Sequence, residues 1–143
     1  MRSALWVGRV LRRIAIVVSV ARETITVERE SGEVLCERCL VADTFWTRLR
    51  GLMGRNELTA DEGLLIRPAG SVHTFFMRFA IDVVFLDRND GVVKVVSGLR
   101  PWRVAAARRA RRVLELSEGV CARAGLAVGE RLELVPGIPK RWA

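Results

Sequence analysis

The chain lacks most of the patterns by which a protein of 143 residues discloses its chemistry. It has no glycine-rich phosphate loop between a strand and a helix, no HExxH and no GxSxG, so nucleotide cradling, zinc proteolysis and the nucleophile elbow are left without a motif. It has a single histidine, His73. That ring could serve as a base beside Ser71 or Thr74, but neither hydroxyl sits in a recognisable nucleophile turn. No apolar run approaches the roughly 18 residues that span a bilayer, so no transmembrane segment is expected. The three cysteines, Cys36, Cys39 and Cys121, are odd in number, which does not suit a disulfide framework and makes a reducing cytoplasm the default location.

Cys36 and Cys39 form a CxxC, yet on an extended strand they point to opposite faces, and no helix start lies beside them to lower a thiol pKa. With Cys121 and His73 they reach a zinc-like ligand count, but the second paired motif of a structural zinc site is missing. No metal and no cofactor is assigned. Buried small hydrophobes account for these cysteines more simply.

Half of the residues are hydrophobic, enough for one compact domain and too few residues for two substantial ones. The formal charge of +8 is unevenly spread. Residues 1–22 carry Arg2, Arg9, Arg12, Arg13 and Arg22 and no acid, whereas residues 24–135 hold seventeen basic and fifteen acidic side chains. The basic leader, 1–23, also contains a short apolar run, Ile14 to Ala21, so export after cleavage of a short N-terminal signal is the alternative location. A second basic stretch, LRPWRVAAARRARR at 99–112, holds six arginines and no carboxylate. With its tryptophan it could grip phosphates, although 22 of the 24 basic residues of the chain are arginine, which reads as general compositional bias.

From Thr24 the pattern becomes one of short alternating runs. TITVE (24–28) and EVLCERC (33–39) flank Ser31-Gly32 as a hairpin. ADTFWTRLRGLMGR predicts a helix capped by Asp43, with Phe45, Leu49 and Leu52 on one face. GLLIR (63–67) is a buried strand. Two strands, 72–78 and 81–87, follow, and RNDG turns the second into VVKVVS. Residues 99–111 read as irregular or weakly helical, VLEL (113–116) as a strand, SEGVCARAGL as a short helix capped by Ser117, and ERLEL (130–134) as the last strand, with a loose tail over 136–143. The expected fold class is α+β: a mostly antiparallel, curled or barrel-like sheet with two short helices, in a single domain over 24–135.

Polar groups embedded in these strands are the candidate site. Alternation places His73 with Phe75, Met77 and Phe79, Asp82 with Val84 and Leu86, and Glu115 with Val113. A carboxylate buried there must neutralise or find hydrogen bonds or a cation. Arg48, Arg50, Arg67, Arg78 and turn N–H groups are available as partners. In one reading His73, Asp82 and Glu115 surround a pocket with an arginine to orient a ligand. In the other, Asp82 bonds backbone amides, His73 is a satisfied core histidine and Glu115 is an internal ion-pair partner.

The ordered blocks RLRGLMGR, DEGLLIRP, SVHTFFMRFAIDVVFLD, GLRPWR, VLELSEG and AGLAVGERLEL closely resemble the bacterial and archaeal family called domain of unknown function 192, over about residues 24–135. The resemblance implies a small, mostly β domain and no established enzyme activity, so no catalytic residue is carried across. Arg48, Gly51, Leu52, Met53, Glu62, Gly63, Met77, Asp82, Phe85, Leu114, Glu115 and Gly119 match the family pattern. Ala80 stands where relatives often have proline. Turns and packing explain the glycine, leucine and methionine matches, which leaves Arg48, Asp82 and Glu115 as polar positions in need of another account. The leading expectation is a non-enzymatic domain that binds a small ligand or a protein partner through a cleft near Arg48, His73, Met77, Asp82 and Glu115. The alternative is an enzyme, a hydrolase with His73 or Glu115 as base. A third is nucleic-acid binding through Arg100 to Arg112.

Overall fold

The computed structural model describes residues 23–44, 47–48 and 51–137. Among the described residues nine strands form two sheets: β1 Thr24–Arg29, β2 Val34–Ala42, β3 Glu62–Ile66, β4 Ser71–His73, β5 Ile81–Leu86, β6 Val92–Leu99, β7 Val104–Ala106, β8 Arg112–Ser117 and β9 Leu132–Pro136. The larger sheet runs β6-β5-β8-β3-β2-β1-β9, and β4 pairs with β7 apart from it. All pairings are antiparallel except β2 with β3. A parallel neighbour needs a crossover, and residues 43–61 supply it. The sheet curls into a half-barrel until its edge strands touch at one end, where Gly91 bridges Arg131 and Val92 N–H donates to Glu130 O at 2.8 Å.

Both faces of the sheet are covered, so the central strands read as unbroken apolar runs and not as alternations. All six residues of β5 are buried. Val84, Leu86, Leu65, Leu114 and Leu116 pack on one face with Val27, Cys39 and Leu132. Val83, Phe85, Leu64, Ile66 and Val113 pack on the other with Leu52, Val72 and Met77, which come from the crossover and from the region of β4.

One helix, α1 (Val120–Ala124), has both ends among the described residues, not the two helices expected. Thr47 and Arg48 are helical as well, and Gly51 N–H donates to Thr47 O at 3.0 Å. Phe45 and Leu49, two of the three residues of the expected apolar face, lie outside the described residues, as does the basic leader before Glu23. The cap of that turn is Thr44, not Asp43: the Thr44 hydroxyl accepts Thr47 N–H at 3.2 Å, and the Thr47 hydroxyl accepts Thr44 N–H at 3.0 Å. The reciprocal pair satisfies two N–H groups that the start of a helix leaves free.

Four other boundaries differ from the sequence reading. Strand 72–78 stops at His73, because buried Thr74 turns the chain: its hydroxyl donates to Arg100 O at 2.6 Å and accepts Arg103 N–H at 2.9 Å. Residues 104–106, expected to be irregular, form β7 against β4. The last strand runs to Pro136, opposite Ile25. Cys36 and Cys39 do not face opposite ways; the register of β1 and β2 slips beside them, Glu37 and Arg38 stay exposed, and both thiols enter the same core.

Asp82 organises the centre. Its Oδ1 accepts Gly98 N–H at 2.9 Å, and its Oδ2 accepts Gly119 N–H at 3.1 Å and Cys121 N–H at 2.9 Å. Ser117, the expected cap of α1, is the last residue of β8; Gly119 stands at the cap position without a side-chain bond of its own. The carboxylate of a separate strand therefore terminates the helix. Gly98 at φ 64° and Gly119 at φ 92° adopt the left-handed backbone that turns both N–H groups toward it. Replacing Asp82 with alanine leaves three N–H donors without their acceptor, that of Cys121 in the core and those of Gly98 and Gly119 half-buried, and Asp82→Ala should lower stability by about 1–3 kcal/mol. Urea unfolding at neutral pH measures the difference, and an unchanged midpoint would contradict the structural role.

Candidate functional site

Four of the five sequence-selected residues, Arg48, His73, Met77 and Glu115, line one cavity of about 330 Å³. The fifth, Asp82, is not among its lining residues. Asp82 lies opposite Leu116 and Glu115 opposite Val83 in the pairing of β5 with β8. These are successive register positions, so the two carboxyls project to opposite faces of the sheet. The expected convergence of Asp82 with His73 and Glu115 does not occur.

The cavity lies where three parts of the chain meet. β8 supplies Glu115, and the turn after Arg48 brings Leu52 and Met53. Residues 68–73 form the remaining wall, with Met77 returning beneath them after the Thr74 turn. Arg48 is held by one N–H, donated from Nη1 to Pro68 O at 3.2 Å. His73 accepts Phe75 N–H at Nδ1, 3.3 Å away, and its ring stacks on Phe75 with centroids 5.0 Å apart. Because the strand ends at His73, Phe75 and Phe76 turn outward beside Trp102, while Met77 is buried.

Glu115 carries the main electrostatic feature. It is 2% exposed, and its Oε2 is buried with no hydrogen-bond partner. The internal ion pair expected for it is absent among the described residues: Arg67 reaches Glu23, Arg78 reaches Asn56, and Arg48 reaches a carbonyl. Loss of water around the carboxyl, with nothing to replace it, raises its pKa from 4.5 to about 8. At neutral pH Glu115 is therefore a neutral acid and a hydrogen-bond donor.

Residues 26–134 match the family model DUF192, described as "Uncharacterized ACR". The chain belongs to that family. A UPF0127 protein of Pyrococcus furiosus is 41% identical over 96 residues, spanning 64% of this chain and 82% of the relative. A Novosphingobium aromaticivorans protein of unknown function, 26% identical, superposes with a TM-score of 0.67 over 77% of this chain and 83% of its own. A Sinorhizobium meliloti protein named as a candidate transcription regulator superposes at 0.70 over 80% and 94%, and at 23% identity it shares the fold alone. The DUF192 relatives thus account for the half-barrel and leave its chemistry open.

Sequence reasoning missed two parts of this DUF192 site. Leu52 and Met53 were read as packing residues, and they do pack, but at the cavity wall. Thr74, considered only as a possible nucleophile, holds the loops that place His73 and Met77. Its position between the histidine and two phenylalanines was the one available signal.

The buried acid has a consequence for stability. Below about pH 4.5 Glu115 is protonated whether the chain is folded or not, and the folded state keeps its full stability. As pH rises toward about 8 the unfolded chain releases the proton while the folded chain retains it, so stability is lost progressively and then levels off. The loss is on the order of 1 kcal/mol per pH unit. Glu115→Gln should remove this slope, so its stability relative to the parent should increase from pH 5 to pH 8 in urea unfolding. Parallel curves for the two proteins would show that Glu115 ionises normally.

Proposed function

We propose that this chain is a non-enzymatic domain that binds a small ligand in the cavity between β8 and residues 68–73. The observation that carries the reading is Glu115: its carboxyl group lines a cavity of about 330 Å³, and its buried Oε2 has no hydrogen-bond partner. Buried polar atoms nearly always have a partner, and one left without is destabilising by roughly 1–3 kcal/mol. A ligand that completes the hydrogen bond recovers that free energy. Leu52, Ile66, Val72 and Met77 offer apolar contact area, and Arg48 and His73 offer polar anchors at the same wall. Few polar groups in an apolar concavity is the usual composition of a ligand site, and the volume lies at its lower end.

Thermal unfolding against a broad set of small organic acids, amines, amides and sugars tests the reading. A ligand present at 100 times its Kd stabilises by about 2.7 kcal/mol, so a true ligand should raise Tm by several degrees. Ser71, exposed where it lines the cavity, can be enlarged without disturbing the core. Ser71→Trp should fold normally and abolish the ligand-induced shift. If no compound shifts Tm, or if the shift survives Ser71→Trp, the cavity is not the site.

A further inference from the structure

Apart from the Ser71 hydroxyl, which can donate or accept, the polar side chains that line this cavity present donors to it. The Arg48 guanidinium has N–H groups and no acceptor. His73 takes the Phe75 N–H at Nδ1, which places the ring proton on Nε2. Glu115, buried and unpaired, holds its own proton up to about pH 8. The permanent charge on the wall is then that of Arg48 alone among the described residues. A ligand complementary to such a wall is rich in oxygen acceptors, negatively charged, and apolar where it meets Leu52, Ile66 and Val72.

We propose that the cavity takes a small organic carboxylate that carries a second oxygen acceptor and a short apolar tail, a branched 2-oxo acid being the simplest example. The carboxylate sits on the planar fork of Arg48, which suits two parallel N–H···O bonds. The second oxygen accepts the Glu115 O–H, and the tail lies on the aliphatic wall. This assignment rests on the ligand-binding reading above and specifies its chemistry. The opposite class, an ammonium ligand, would need Glu115 to release its proton to solvent first and would then lie beside Arg48, a like charge.

The arrangement is pH-sensitive because Glu115 must stay protonated to donate. The groups around it can be named by element. β5 and β3 set Val83 and Leu64 opposite it, neither ionisable. Arg48 and His73 share the cavity wall, and the buried Cys39 thiol of β2, pushed up by its neighbour Cys36 and by burial, stays uncharged on the far side of β3. An incoming anion therefore meets one fixed cation and an acid that is lost only at high pH.

Calorimetric titration with 2-oxoisovalerate, isovalerate and isobutylamine tests the class. The 2-oxo acid should bind most tightly, isovalerate about tenfold more weakly for want of the second oxygen, and the amine not at all. Between pH 7 and 9 the affinity for the 2-oxo acid should fall about tenfold as Glu115 deprotonates. Glu115→Gln carries a permanent donor and should bind with no such fall, whereas Glu115→Ala and Arg48→Ala should each weaken binding by about tenfold or more. Binding of isobutylamine in place of the acids, with affinity rising above pH 8, would overturn the anion class while leaving a ligand site in place. Silence toward all three probes would overturn the class too, even where the broad compound set yields a ligand; silence toward the broad set as well would remove the site itself.

Discussion

Three backbone N–H groups, from the end of β6 and the start of α1, converge on the Asp82 carboxylate, and the centre of the half-barrel depends on that convergence. A carboxylate at 0% exposure is normally satisfied by a cation. Here the peptide dipoles of Gly98, Gly119 and Cys121 do the work, which ties the end of β6 and the start of α1 to the middle of β5. The left-handed backbone at Gly98 and Gly119 follows from the same requirement, since only that geometry directs both N–H groups inward. Once the exit of β8 is held in this way, the direction in which Glu115 points is set as well.

The two buried carboxyls make an informative pair because they stand on neighbouring strands, one register step apart, and meet opposite fates. Asp82 has three donors and an ordinary structural explanation. Glu115 has an unpartnered oxygen and a cavity in front of it. Apolar packing on both faces of β5 and β8 makes each location strongly desolvating, so the contrast comes from hydrogen bonding alone. One face of the sheet therefore holds a fully bonded carboxylate, and the other a carboxyl with an unpartnered oxygen.

The positions of most strands along the chain were readable, because short runs of valine, isoleucine and leucine bounded by Ser31-Gly32 and Asp90-Gly91 have few other uses, whereas their order in the sheet, with β2 parallel to β3, was not. The hairpin of β5 and β6 and the burial of β3 and β8 agree with that reading. Where it failed, a side chain from elsewhere in the chain had changed the local outcome. Thr74 ends β4 early through bonds to Arg100 and Arg103, some thirty residues away. Ser117 yields the helix cap to Asp82, thirty-seven residues upstream of Gly119. The register slip beside Cys36 and Cys39 rotates both inward, which strict alternation along a strand cannot anticipate.

By itself the sequence determined that the fold is mostly β, that its cysteines pack in the core, and that Arg48, His73, Met77, Asp82 and Glu115 are the positions whose chemistry is at odds with their apolar neighbours. Those conclusions follow from composition and short-range periodicity, which depend on residues close together in the chain. Only the tertiary structure decided that Asp82 braces the fold while Glu115 faces a cavity with Arg48 and His73. That division depends on which donors arrive from distant turns and on which face of a two-sided sheet each carboxyl enters, and neither is encoded in any local stretch of residues.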